Sequence, residues 1–256
     1  MSTATVLARA SRAEWGRIWS VRSSWVFTGL ISCAVVGLGL LVGIDVANNP
    51  ESVPVGASAW EGARFTAMFA LFGTVAMAVV TSTADHGTGA IVPTLQWTPR
   101  RGVLLSARAL VIALTVTTLG VALVVAASVV VWTLAPPRVG LPFGDGLRSM
   151  GDIVVVLGCG ALLGIGLGLA TRSTAAALVL AIALLLVLPL LVAQLPFDWA
   201  ATTSARLPGS GALFLIFGEG PLDDMTVTSA RLTLAAWALG ALVAGGWRLM
   251  RSDAGH

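Results

Sequence analysis

Apolar residues are concentrated in six long blocks along the chain, and the shorter stretches between the blocks hold most of the charged residues. Each block is about 20 residues long and apolar on all sides, as a helix that crosses a lipid bilayer must be. The blocks predict transmembrane helices at about residues 25–47, 63–83, 107–134, 150–170, 174–196 and 232–250. The pattern therefore predicts an all-α integral membrane protein, with residues 1–256 in one transmembrane domain.

The segment before the first block, residues 1–24, predicts a helix that lies along the membrane surface. Its apolar side holds Leu7, Trp15, Ile18, Val21 and Trp25, and Arg9, Arg12 and Arg17 point away from that side. Such a helix is anchored by its apolar face and by the attraction of arginine to anionic lipid, so membrane lipid is an expected partner. Ser11 and Glu14 have the spacing of a capping box. The alternative is a loosely helical, positively charged leader.

The connection between the fifth and sixth blocks, residues 197–231, is long for a membrane protein. It contains a semi-apolar patch at residues 211–218 that is bracketed by glycines. Eight residues are too few to cross a bilayer, so the patch either enters partway as a re-entrant segment or caps the extracytoplasmic face. Within the fifth block, Pro189 predicts a kink.

Gly160, Gly164 and Gly168 recur at every fourth position of the fourth block and share one helix face. Small residues at this spacing allow two helix backbones to approach closely in lipid. The pattern predicts a helix-packing seam, either within one subunit or between two. General glycine enrichment of membrane helices is the alternative, since the chain contains 29 glycines.

The arginines predict the orientation of the chain. With the N-terminus inside the cell, the inner side carries ten arginines and three acidic residues, and the outer side carries five arginines and nine acidic residues. An excess of positive charge on the cytoplasmic side is the rule for membrane proteins. We therefore expect a multi-pass protein of the cell membrane with both termini in the cytoplasm.

The composition excludes several kinds of site. The chain has fifteen arginines and no lysine, so it lacks the lysine that a P-loop needs to contact nucleotide phosphates. Two cysteines inside apolar blocks and two histidines do not supply a metal framework, and no hydrolase motif occurs. No basic run with interleaved aromatic residues favours nucleic acid. We expect no enzyme activity and no bound cofactor on this chain.

The loop between the second and third blocks, residues 84–106, has the most specific pattern. An acidic residue leads into a Gly-Thr pair, and a short segment then ends in Leu, Thr-Pro and two arginines. The residues are Asp85, Gly87, Thr88, Leu95, Thr98, Pro99, Arg100 and Arg101. This pattern resembles the permease subunits of type-2 ABC exporters. Glu14-Trp15 with residues 20–25, and Gly166-Leu167-Gly168 with residues 171–174, are similar to two further signatures of that family.

The resemblance implies a type-2 ABC exporter fold and a division of labour between chains. The loop at 84–106 would be a cytoplasmic coupling loop that docks on a separate ATP-binding subunit, with Thr88, Leu95, Pro99, Arg100 and Arg101 as coupling positions. Two ATPase subunits would bind ATP and Mg²⁺, and a second permease copy or a paralogue would complete the transporter.

The residue types in the loop also suit a docking contact. Thr88 can begin a short helix and Pro99 can end it. Leu95 and Trp97 offer apolar contact, and Arg100 and Arg101 can pair with carboxylates of a partner. The alternative is an ordinary arginine-anchored loop.

Few ionisable residues lie within the blocks, which favours an amphipathic substrate such as a drug, a lipid or a lipopeptide. The leading hypothesis is an exporter permease driven by a separate ATPase. Two alternatives are an ATP-independent carrier or channel and a membrane scaffold for a signalling or secretion complex.

Overall fold

The computed structural model describes residues 3–87, 101–136 and 138–251. The helices are α1 (Thr3–Ser20), α2 (Arg22–Asn48), α3 (Ala59–Gly62), α4 (Arg64–Gly87), α5 (Arg101–Leu134), α6 (Phe143–Thr171), α7 (Thr174–Ile182), α8 (Leu188–Ala193), α9 (Asp198–Ala205), α10 (Pro208–Phe217) and α11 (Val227–Arg251). A 3₁₀ turn spans Pro50–Ser52, and a π-helical turn, Ala183–Val187, joins α7 to α8. Two short strands, β1 (Ala57–Ser58) and β2 (Val139–Gly140), pair in parallel.

Six helical segments of the described chain are long and apolar enough to cross a membrane. They are α2, α4, α5, α6, the continuous α7–α8 segment and α11. The prediction of an all-α membrane protein with six spans is confirmed at this level. The helix ends differ: α5 begins at Arg101 rather than at residue 107, and α11 begins at Val227 rather than at residue 232.

The N-terminal helix is longer than the capping box predicts. Since α1 runs from Thr3 to Ser20, Ser11 lies in its interior, and the capping box is wrong. The preceding residues, which include leucine, alanine and arginine, favour helix strongly enough to extend it. The Glu14 side chain bonds to two arginines instead of capping the helix.

Helices α4 and α6 form the buried centre of the bundle. Of the six spans, these two have the largest buried share, and α2, α7–α8 and α11 have far less. Gly160, Gly164 and Gly168 of α6 all face α4 of the same chain. A Cβ at Gly160 would lie 2.5 Å from Leu71 Cδ1, and one at Gly164 would lie 3.0 Å from the Val75 carbonyl oxygen. The glycines allow the two helices to approach this closely.

A second glycine contact joins the opposite side of α6 to α11. A Cβ on Gly166 would clash with the backbone of Ala241, and a Cβ on Gly245 would lie 2.5 Å from the Gly166 carbonyl oxygen. Backbone meets backbone here, so no side-chain rotation relieves the clash. Helix α6 is therefore held on two faces by close backbone approach.

The two ends of the bundle are held by different contacts. At the end that carries α1, which we call the α1 end, the Arg248 guanidinium donates to the Ala170 carbonyl at the C-terminus of α6. At the opposite end, β1 pairs with β2 and the Trp60 indole donates to the Pro142 carbonyl at 3.0 Å. A half-exposed ion pair, Arg231 with Asp152 at 2.8 Å, joins α11 to α6 near that end.

A π-helical turn, Ala183–Val187, lies just before Pro189, the position at which the sequence predicts a kink. Proline has no N–H and its ring crowds the carbonyl one turn earlier, here that of Leu185. Helices α9 and α10 pack against this turn: Gly209 lies against the Leu185 carbonyl, and the Ser204 hydroxyl donates to the Pro189 carbonyl at 2.9 Å.

The turn between α9 and α10 lies beside the middle of α11. The Trp237 indole donates to the Arg206 carbonyl at 2.8 Å. Trp237 follows Val227, the first residue of α11, by ten residues, which is about 15 Å along a helix. Residues 198–217 therefore fold back alongside the spans, and most of α10 is buried.

Adding one methyl group at Gly166 tests the α6–α11 contact. Gly166→Ala should lower the free energy of unfolding by about 1–3 kcal/mol, because the backbone must shift to admit the Cβ. Gly240→Ala is the matched control, since no atom lies within 4 Å of its added Cβ. Thermal unfolding in detergent measures both, and equal melting temperatures would contradict the close approach.

Candidate functional site

A buried carboxylate on α1 marks the candidate site. Glu14 is only 5% exposed and Ile18, one helical turn later, is 2% exposed, so this side of α1 faces the protein. Trp15, next to Glu14, is 52% exposed. An ionised carboxylate at such a position requires cationic or hydrogen-bonding partners.

Two arginines bind the two oxygens of Glu14. Arg108 of α5 donates to Oε1 from Nη2 at 3.1 Å and from Nε at 3.3 Å. Arg17 of α1 donates to Oε2 from Nη2 at 2.6 Å and from Nε at 3.1 Å. Both guanidinium groups use two nitrogens, an arrangement that adds directional strength to the charge attraction.

The cluster also reaches α4. Nη2 of Arg17 donates to the Thr81 carbonyl oxygen at 3.4 Å. Arg108 is 1% exposed, which makes it the largest fully buried side chain of the described residues. Removing a guanidinium from water is costly unless its charge is neutralised, so Glu14 is what permits Arg108 to be buried. We call Glu14, Arg17, Arg108 and Thr81 the α1 cluster.

The α1 cluster lies near the ends of α4 and α5, the two helices that residues 88–100 connect in sequence. Thr81 precedes Gly87, the last residue of α4, by six positions, and Arg108 follows Arg101, the first residue of α5, by seven. Each separation is about 10 Å of helix. Helix α1 is therefore joined near the adjoining ends of both α4 and α5 by polar contacts.

Further polar contacts join the spans at the same end. The Thr83 and Thr174 hydroxyl oxygens are 2.6 Å apart, which links α4 to the start of α7. Arg172 has a left-handed backbone conformation, φ 57°, where α6 ends, and its guanidinium donates to the Arg248 carbonyl at 3.4 Å. These contacts connect α4, α6, α7 and α11 close to the α1 cluster.

Of the predicted coupling residues, the structure describes only Arg101. Thr88, Leu95, Trp97, Pro99 and Arg100 lie outside the described residues, and Arg101 begins α5. Helices α4 and α5, which precede and follow residues 88–100, pack against each other. Among the described residues, no group of three or more histidine, cysteine, aspartate or glutamate side chains could hold a metal ion.

Sequence reasoning did not identify Glu14 and Arg108 as a pair. The helical pattern treats Glu14 as an interruption of the apolar face of α1, and the charge pattern treats Arg108 as a membrane-anchoring charge. The spacing of Glu14 and Ile18 was one indication in the sequence. The two residues are one helical turn apart, so a helix face that buries Ile18 also buries the carboxylate of Glu14. The sequence does not reveal which arginine neutralises it.

The helices define the class: the chain is an all-α, multi-pass membrane protein. Comparison of its sequence with protein-family models and with curated proteins gives no match. A proposal for the function therefore rests on the contacts described above.

Removing the charge of Glu14 tests the α1 cluster. Glu14→Gln should lower the free energy of unfolding by on the order of 3 kcal/mol, because the buried Arg108 loses its ion pair with Glu14. The double variant Glu14→Gln with Arg108→Met should regain much of this loss, since it removes the buried guanidinium as well. Thermal unfolding in detergent measures both.

Glu51→Gln is the control for this prediction, because Glu51 is an exposed acidic residue in the 3₁₀ turn. It should leave the melting temperature unchanged. If Glu14→Gln unfolds at the same temperature as Glu51→Gln, the ion pair does not stabilise the fold.

Proposed function

We propose that this chain is the membrane-spanning permease subunit of an ATP-binding-cassette transporter of the type-2 exporter class. ATP would bind and be hydrolysed on a separate subunit, present in two copies, that docks on residues 88–100. A second permease copy or a paralogue would complete the pathway. The α1 end would lie in the cytoplasm of a protein of the cell membrane, which agrees with the excess of arginine there.

The α1 cluster is the observation that carries this proposal. Glu14 joins α1 to Arg108 of α5, and Arg17 joins α1 to the Thr81 carbonyl of α4. A force applied to residues 88–100 would therefore move the ends of α4 and α5 together with α1. A protein driven through this loop needs such a rigid base, because a loose one would dissipate the movement of the partner.

The packing of α4 supports a route from the loop into the bundle. Helix α4 contacts α6 along the glycine face that includes Gly160 and Gly164, and α6 contacts α11 through Gly166. Close-packed helices transmit displacements because they have little free volume. Movement at the loop would thus reach α11 through α6.

The charges of the spans favour an amphipathic substrate. Arg108 is neutralised by Glu14, and Asp152 is paired with Arg231 near the far end of α6. A pathway for protons or small ions usually retains charged groups at mid-membrane depth. A drug, a lipid or a lipopeptide is the better fit, and ATP would supply the energy for its export.

Reversing the charges of Arg100 and Arg101 tests the docking assignment. The protein is purified in mild detergent from its native host, and the copurifying chains are identified by mass spectrometry. We expect a stoichiometric ATPase with the native chain, and a loss of about tenfold or more for Arg100→Glu with Arg101→Glu, since two charge-assisted contacts disappear. Membrane insertion should be unchanged.

The matched control is Arg138→Glu with Arg148→Glu, which reverses two charges at the opposite end of the bundle. It should retain the ATPase. Copurification of partners that are not ATPases would favour a scaffold, and substrate movement in proteoliposomes by this chain alone would favour a carrier or channel. Either result, or undiminished ATPase binding by the Arg100 and Arg101 variant, contradicts the proposal.

A further inference from the structure

A groove lies between the surface helix α1 and the third span, α5. Trp15 and Trp19 form one wall, and residues 111–119 of α5 form the other. Its volume is about 470 Å³, within the range of sites that bind small molecules. Leu114 is 61% exposed, so the groove opens on the surface of the bundle.

The lining of the groove suits a hydrocarbon chain. Indole rings and aliphatic side chains form most of the surface, and Thr115, one of its two hydroxyl residues, donates internally to the Val111 carbonyl at 2.7 Å. Free energy is gained when an apolar ligand covers such a largely apolar surface.

The groove has the length of one bilayer leaflet. Residues 111–119 of α5 cover about 12 Å along the helix axis. Half of a hydrocarbon core of about 30 Å is about 15 Å. The groove begins one turn beyond Arg108, the partner of Glu14, and continues along α5 toward its C-terminus, with Trp15 and Trp19 of α1 on its other side. It therefore occupies the leaflet at the α1 end.

Charge beside the groove points to an anionic ligand. Arg12, Trp15 and Trp19 are spaced by three and four residues, so they lie along one side of α1. Arg12 is exposed. Glu14, the single acidic residue of α1, is bound by Arg17 and Arg108, so the rest of α1 carries only positive side-chain charge.

We propose that this groove is a binding site for an anionic phospholipid. One acyl chain lies between α1 and residues 111–119, and Arg12 attracts the phosphate of the lipid. The site does not depend on the ATPase assignment, because a lipid bound here would hold α1 to α5 in any membrane protein with this fold.

Native mass spectrometry of the detergent-purified chain tests the proposal. The protein is titrated with phosphatidylglycerol or with phosphatidylcholine of the same acyl chains. We expect one tightly retained phosphatidylglycerol and an affinity about tenfold or more above that for phosphatidylcholine, because the choline cation of phosphatidylcholine offsets the attraction between its phosphate and Arg12. Leu114→Trp should fill the groove and weaken the binding of both lipids.

Two further variants separate the parts of the site. Arg12→Gln should remove the preference for phosphatidylglycerol and leave acyl binding intact. Val129→Trp, which introduces the same side chain as Leu114→Trp at an exposed position of α5 outside the groove, should change nothing. Melting temperatures verify that each variant is folded.

The proposal is overturned if Leu114→Trp and Val129→Trp retain the lipid equally well, which would indicate a general lipid shell. Equal affinity for the two headgroups in the native chain would also overturn it. If a second copy of the chain fills the groove, the same spectra would show a dimer without bound lipid. That result would also contradict the proposal.

Discussion

Close approach of backbones at α6 is the constraint on which the rest of the structure depends. Helices in lipid gain no hydrophobic free energy from packing on each other, so van der Waals contact must hold them together. Helix α6 meets this requirement on two sides, with Gly160 and Gly164 against α4 and Gly166 against α11. Any larger side chain would separate the backbones. Once α4 is held by α6, the position of its last turns is determined.

The α1 cluster adds a different kind of contact at one end of this dry bundle. An amphipathic helix can remain at a membrane surface through its apolar face alone, without a defined partner. Here Glu14 and Ile18 are buried together, and the two oxygens of the carboxylate bind arginines from α1 and α5. A buried ion pair contributes little net stability compared with apolar packing, but it specifies which groups must meet. It therefore aligns α1 with the ends of α4 and α5 on either side of residues 88–100.

The opposite end of the bundle differs in its packing. The π-helical turn Ala183–Val187 interrupts the fifth span where Gly209 lies against the Leu185 carbonyl, and the α9–α10 segment fills the space beside α11. Such π-helical turns are frequent at functional sites because they weaken the helix locally. The polar contacts at the α1 end and the interrupted fifth span are compatible with the proposed transporter, in which movement would begin at residues 88–100 and reach the opposite side.

The sequence alone determined the membrane class, the six spans and the glycine face of α6, because each is a local property of composition or of helical period. It did not determine the pairing of Glu14 with Arg108, which are separated by 94 residues, since any of several arginines could neutralise the carboxylate. Pro189 predicts a kink, but it does not predict the π-helical turn that precedes it and against which α9 and α10 pack. The groove between α1 and α5 exists only after the helices pack, because its two walls come from different helices. Local patterns specify which residues are helical and apolar, whereas tertiary packing alone decides which of their faces meet.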